Sequence, residues 1–116
     1  MAKCDQGYLC DVCAEPVEDM ADSDLYLRYI IGEVPYDQLM GQPERHIRCN
    51  PSQAQFIVHD DFEAVDVDGP FGKSQLDPQY VHERETLITR GWVRLQAVVG
   101  QEIHLVKYPL DEFQVE

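Results

Sequence analysis

Apolar residues recur every three to four positions over about twenty residues in the second half of the chain. They are Val81, Leu87, Ile88, Trp92, Leu95 and Val98. This spacing predicts an amphipathic helix from about 78 to 99, with Trp92 as a packing anchor on its apolar stripe. Asp77-Pro78 provides an N-cap and a proline at the first helical position, and Gly100 ends the pattern. A glycine in a helix costs about 1 kcal/mol relative to alanine, so Gly91 predicts close packing or a bend.

Shorter apolar segments in the first half predict three short helices. They cover residues 23–32, 35–41 and 52–58. The first has candidate N-cap oxygens in Asp22-Ser23-Asp24 and ends at Gly32. The third begins with Asn50-Pro51, a candidate N-cap followed by a proline suited to the first helical turn.

Extended structure is predicted at only a few places. Tyr8 to Ala14 is typical of a turn between two short extended pieces, and Ile103–Tyr108 is the best strand candidate before Pro109. Residues 59–76 are acidic and irregular, which predicts a surface loop with at most a brief strand at Ala64-Val65. The acidic tail from Asp111 is expected to be loose.

These elements predict one helix-rich α+β domain over residues 1–116. Its parts are a half that contains all the cysteines (1–58), an acidic loop (59–76) and a segment with the long helix, a short strand and the tail (77–116). A chain of 116 residues suffices for one domain and is too short for two of ordinary size.

The formal net charge of −13 bears on the partners. An acidic surface repels phosphate backbones, and no stripe of Lys or Arg offsets it, so nucleic acid is disfavoured as a partner. No apolar run is long enough to span a membrane, and the N-terminal residues carry no apolar signal-peptide core. We therefore expect a soluble, cytoplasmic protein with no membrane partner.

All four cysteines lie within the first 49 residues, and three of them belong to short-spaced pairs. Cys10 and Cys13 form a C-x2-C pair, and His46 and Cys49 form an H-x2-C pair. Each pair can direct two side chains at one ion, and thiolate and imidazole suit Zn²⁺ in a tetrahedral site. Clustered cysteines without an export signal favour metal over disulfides. Cys4 is an alternative to His46 as the fourth ligand.

The two pairs resemble those of treble-clef zinc modules over residues 8–58. In that group a knuckle supplies one ligand pair and the first turn of a helix supplies the other. The resemblance implies Cys10 and Cys13 as knuckle ligands, His46 and Cys49 as the helix-side pair, and a structural zinc beneath an interaction surface. The chain departs from the pattern in three ways: Ala14 replaces the usual glycine, the segment between the pairs is helical, and His46 precedes its helix.

Two other readings of the cysteines stay open at this point. Cys10 and Cys13 could form a redox pair, although the βαβ setting of such pairs is absent. Alternatively, the thiols are free and pack as small apolar groups. Apparent phosphate-binding and calcium-binding motifs at 66–75 fail at required positions, and His59 and His82 beside acids are typical of solvated faces.

The sequence thus favours a small acidic zinc-binding module that binds another protein and is not an enzyme. A small metal-dependent enzyme is the first alternative, and it would need an open coordination position on the metal. The second alternative is an acidic nucleic-acid mimic that occupies a basic partner.

Overall fold

The computed structural model describes residues 8–17 and 19–114. Three α-helices are present: α1 (Asp24–Ile30), α2 (Pro51–Ala54) and α3 (Pro78–Val98). Two antiparallel strands, β1 (Tyr8–Leu9) and β2 (Pro16–Val17), form a hairpin with Tyr8 opposite Val17. Short 3-10 helices connect these elements at Met20–Asp22, Tyr36–Gly41, Ile47–Cys49, Lys73–Gln75, Leu105–Lys107 and Asp111–Phe113. The chain is therefore a helix-rich α+β protein, as its pattern predicts.

The core lies between α1 and α3. Leu27, Ile30, Ile88 and Leu95 are all 0% exposed. Gly91 faces α1, and a side chain at this position would collide with Ile31. The predicted close packing at Gly91 is confirmed, because the missing side chain lets the two helices approach.

Trp92 extends this core towards residues 59–62. It is 8% exposed, and its ring packs edge-on against Phe62 with the centroids 5.5 Å apart. The guanidinium of Arg48 lies over the same Phe62 ring, 4.3 Å from its centroid. The predicted role of Trp92 as a packing anchor is confirmed.

The predicted strand at Ile103–Tyr108 is wrong. Residues Leu105–Lys107 form a 3-10 helix, and β1 and β2 are the only strands in the described ranges. Side chains of α1 and α3 donate hydrogen bonds to the carbonyls of this segment: Tyr29 Oη donates to Leu105 O, and the Arg94 guanidinium donates to Lys107 O and Tyr108 O. With no neighbouring strand, the chain is held by these side-chain bonds instead of a ladder.

The described part of the tail, which includes Asp111–Gln114, packs against the end of α1, contrary to the expectation of a loose tail. Leu110 N donates to Ile30 O at the end of α1, and Asp111–Phe113 forms a 3-10 helix. The ring of Phe113 covers Gly32, whose φ is +84°. Gly32 ends α1 as predicted, and because it has no side chain the Phe113 ring can pack directly on its backbone.

Helix α2 is shorter than the predicted segment 52–58. It ends at Ala54, and the following turn directs Phe56 and Ile57 into the core. Thr89 Oγ1 donates to Phe56 O and accepts from Val58 N, so α3 replaces the helical bonds that the turn lacks.

The remaining predictions concern the loops and α3. Segment 59–76 is irregular apart from Lys73–Gln75, and no strand forms at 64–65. The short helix predicted at 35–41 is present as a 3-10 helix over Tyr36–Gly41, with Pro35 at its N-cap. Helix α3 begins at Pro78 with Asp77 as its N-cap, as expected. None of the helices in the described part of the chain is long and apolar enough to cross a membrane.

Candidate metal centre

Four predicted ligands lie together on one side of the molecule. The ligand atoms of Cys10, Cys13, His46 and Cys49 all lie within 4.8 Å of one another. His46 Nδ1 is 3.4 Å from Cys13 Sγ and 3.7 Å from Cys49 Sγ. In a tetrahedral zinc site, bond lengths of about 2.1 Å to nitrogen and 2.3 Å to sulfur place these atoms about 3.6 Å apart. The cluster therefore has the donor atoms and the spacing to bind a metal ion, and it is compatible with zinc.

The turn between β1 and β2 presents the first pair of sulfurs. Cys10 N donates to Glu15 O and Ala14 N donates to Cys10 O, which closes the turn. Val12 N points at Cys10 Sγ over 3.4 Å. Ala14 has a φ of +65°, in the left-handed region where glycine is preferred. Ala14, which stands where zinc knuckles usually have glycine, therefore has a backbone conformation that glycine would adopt more readily.

His46 is oriented by its second ring nitrogen. His46 Nε2 lies 3.0 Å from Pro16 O, which can only accept a hydrogen bond. The Nε2–H tautomer is therefore favoured, and it leaves the lone pair of Nδ1 directed at the sulfurs. Backbone carbonyls commonly orient metal-binding histidines in this way. The sequence contains no signal for this contact, because the acceptor is a main-chain atom.

An ion pair joins the turn to the segment that carries His46. Arg45 donates from Nε and a terminal nitrogen to both carboxylate oxygens of Asp11, at 2.7 and 2.8 Å. The Arg45 hydrogen bond lowers the pKa of Asp11. Asp11 N also donates to Glu44 O. Asp11 lies between the two knuckle cysteines, so this pair places both halves of the site in register, a role that sequence analysis missed.

The thiols differ in how readily they ionise without a metal. Burial raises the pKa of Cys10, but N–H donors from Cys13, His46 and Val12 outweigh it and bring the pKa to about 6. Burial and the neighbouring thiols Cys10 and Cys13 raise the pKa of Cys49 to about 12. Helix α2, which begins two residues after Cys49, has only four residues, so its dipole offers little stabilisation to a Cys49 thiolate. A divalent cation would supply the charge that three adjacent thiolates require.

A buried polar network lies behind the site. Ser23 Oγ donates to Glu44 Oε1 at 2.7 Å and accepts from Tyr26 N, so it also caps α1. Burial raises the pKa of Glu44, and the Ser23 bond opposes that shift. Ser23 and His46 form an isolated antiparallel bridge. These contacts tie the metal side of the molecule to the start of α1.

Asn50 takes a different role from the predicted one. Its side chain does not cap α2. Instead Asn50 Nδ2 lies 3.2 Å from both carboxylate oxygens of Asp24, which is 1% exposed and also pairs with Arg28. The amide therefore satisfies a buried acid directly behind Cys49.

Cys4, the alternative fourth ligand, lies outside the described residues. Cys10, Cys13 and Cys49 are free thiols. No protein-family model, no curated protein and no solved structure matches this chain. The class of site is therefore defined by its geometry: a Cys3His cluster that can bind one metal ion.

Proposed function

We propose that this chain is a small acidic protein-interaction module with a structural zinc ion bound by Cys10, Cys13, His46 and Cys49. The observation that carries the proposal is the convergence of four soft ligands, from segments more than thirty residues apart, on one point. Four protein ligands complete a tetrahedron and leave no position for water or substrate. A closed site of this kind favours a structural role over catalysis.

The surroundings of the site also support a structural metal. The hairpin is only two residue pairs long, and a two-stranded hairpin alone is marginal in water. A zinc ion would link this hairpin to the His46–Cys49 segment and so to α2. The proposal includes a treble-clef-like arrangement, in which the knuckle and the start of α2 flank one ion. Reduced thiols fit a reducing compartment such as the cytoplasm.

The surface supports a protein partner. Leu9 and Val12 are each 58% exposed on the knuckle, although both are large apolar residues. The net charge of −13 opposes association with nucleic acid. Exposed apolar groups on an acidic surface are suited to another protein, particularly one that carries basic residues.

Elemental mass spectrometry on protein purified without added metal tests the zinc site. We expect one zinc per chain in the wild type, loss of zinc in Cys49→Ser and His46→Ala, and full retention in Cys4→Ser. Cys4→Ser is the matched control, because it removes a thiol outside the proposed ligand set. Absence of metal from the wild type, with all thiols free and the fold intact, would refute the site. Loss of zinc in Cys4→Ser with retention in His46→Ala would replace the fourth ligand.

A further inference from the structure

An open groove lined by aromatic and proline side chains lies away from the metal centre. Its volume is about 380 Å³, and its walls are Tyr29, Val34, Pro35, Tyr36, Pro109 and Phe113. Tyr29 is buried, whereas Tyr36 and Phe113 are 45% and 37% exposed. The buried ring therefore forms the base, and the two exposed rings are available to a ligand.

The tail builds one wall of this groove. An added Cβ at Gly32 would lie 2.6 Å from Phe113 Cδ1, so only glycine permits this approach of the ring. Tyr29 is held at the base by the hydrogen bond from its hydroxyl to Leu105 O, at 2.9 Å. Its ring centroid lies 6.2 Å from that of Tyr36, at a tilt of 45°. The groove is therefore positioned by contacts from three separate segments.

The charges at the groove are negative. Asp37 lines it, and no lysine or arginine is among its lining residues. Asp111 lies in the chain between Pro109 and Phe113. Neither Asp37 nor Asp111 forms an ion pair within the described residues, whereas nearby Glu33 and Glu112 pair with Arg84 and Arg90. Asp37, a lining carboxylate without an ion-pair partner in the described residues, lies next to the exposed ring of Tyr36 in the chain and favours a cation there.

We propose that this groove binds a proline-rich segment of a partner protein that carries arginine or lysine. Polyproline II segments dock into grooves lined by aromatic residues, because their rings pack on Tyr and Phe and little conformational entropy is lost. The basic side chain would lie against Tyr36 or Phe113 and pair with Asp37. This inference rests on the interaction half of the proposed function and is independent of the zinc ion.

Fluorescence polarisation with a labelled peptide of Pro-Pro-Arg repeats tests the proposal. Two peptides of equal length serve as controls: Pro-Pro-Glu repeats keep the conformation and reverse the charge, and Gly-Ser-Arg repeats keep the charge and lose the conformation. We expect the first peptide alone to bind with saturation, and we expect its affinity to fall as salt rises. Equal binding of the Gly-Ser-Arg peptide would overturn the proposal, because it would show attraction to the acidic surface as a whole.

Variants locate the binding site. Tyr36→Ala and Asp37→Asn should each weaken binding about tenfold or more. Tyr80→Ala and Asp60→Asn are the matched controls, an exposed tyrosine and an exposed aspartate elsewhere, and they should leave the affinity unchanged. In the unsubstituted protein, the peptide should shift the backbone NMR signals of Gly32 and Phe113. Unchanged signals at these residues would overturn the proposal, whether or not a variant folds.

The outcome is separable from that of the zinc test. A protein that contains zinc and does not bind the peptide refutes the groove and leaves the metal site in place. A metal-free protein that binds through Tyr36 supports the groove and refutes the metal site. If sedimentation shows a dimer that Tyr36→Ala dissociates, the groove is occupied by a second copy and the proposal is overturned.

Discussion

The hairpin with its candidate metal centre and the α1–α3 helix pair are stabilised by different interactions. Buried aliphatic side chains surround Gly91 in the helix pair, and Leu27, Ile30 and Leu95 are 0% exposed there. On the hairpin, Leu9 and Val12 are exposed. The hairpin contacts residues 44–49 through its cysteine sulfurs, through backbone hydrogen bonds and through the Asp11–Arg45 ion pair. Where apolar surface is scarce, a small fold needs cross-links to compensate.

This difference predicts that the two regions respond to different perturbations. Loss of metal should release the hairpin while the helix pair stays packed, and a cavity in the helix pair should lower global stability while the metal stays bound. Ser23 is the point where the two regions meet, because it caps α1 and also bonds Glu44 beside the metal centre.

Removal of the metal should produce the largest effect. Structural zinc in zinc-finger peptides binds with an apparent free energy of about 10–16 kcal/mol, so a chelator should remove most of what holds the hairpin. Hydrogen exchange should show loss of protection in residues 8–17 and 44–50 and continued protection in α3. Equal loss of protection in both regions would show that they unfold as one cooperative unit, which would contradict their separate responses. Zinc added back to the chelated protein is the control for irreversible damage.

Leu95→Ala should have the next largest effect. The side chain is fully buried between the helices, so its truncation leaves a cavity and costs about 2–5 kcal/mol of unfolding free energy. Urea denaturation measures the loss, and zinc content should stay at one per chain. Loss of zinc in this variant would show that the metal centre depends on the helix packing.

Ser23→Ala should lower the unfolding free energy by about 2–4 kcal/mol. It removes an N-cap, which costs about 1 kcal/mol, and it removes the side-chain hydrogen bond to buried Glu44, which costs about 1–3 kcal/mol more. Asp77→Ala is the matched control, since Asp77 caps α3 and its carboxylate has no second role in the described structure. Equal losses in the two variants would show that the Ser23–Glu44 bond contributes nothing.

Gly91→Ala separates helix propensity from packing. Propensity alone predicts a gain of about 1 kcal/mol, whereas overpacking against Ile31 costs about 1–3 kcal/mol. We expect a net loss in thermal unfolding, with Thr86→Ala on the exposed face of α3 as the control. A stabilised Gly91→Ala would contradict the close approach of the two helices.

The smallest effect concerns pH. Burial raises the pKa of Asp24 in the folded state. This group therefore contributes stability that is present below its unfolded pKa and is lost as pH rises through its folded pKa. Asp24→Asn removes this titration, so the difference in unfolding free energy between wild type and variant should shift in favour of the wild type as pH falls from neutrality into the carboxyl range. Urea denaturation of both proteins across this range measures the difference, and a shift in the opposite direction would contradict this account.

Much of the helical framework could be predicted from local pattern. The bounds of α3 follow from the spacing of its apolar residues and from Asp77-Pro78, and the end of α1 follows from Gly32. These capping and helix-end signals depend on residues within one helical turn, so they can be recognised in the sequence without knowledge of the tertiary structure. The clustering of Cys10, Cys13, His46 and Cys49 was also predictable, because C-x2-C and H-x2-C spacing lets neighbouring side chains reach one point.

The errors arose where distant partners decide the local structure. Ile103–Tyr108 has the composition of a strand, but Tyr29 and Arg94 bind its carbonyls and no strand lies beside it. Asn50 stands where an N-cap residue is expected, but its side-chain amide donates a hydrogen bond to buried Asp24 instead. Local propensity yields to such tertiary contacts because a buried polar group left unpaired costs more than a propensity difference.

The helix-rich class and the position of the long helix follow from the amino-acid sequence, as does the choice of the four Cys and His residues that cluster in the fold. The folded chain is needed to show that Pro16 orients His46, that Ser23 links the two regions and that Phe113 packs on Gly32 to form an aromatic groove. The physical reason is the range of the interactions: periodicity and capping are encoded within a few residues, whereas carbonyl acceptors, buried partners and ring contacts depend on segments brought together by folding.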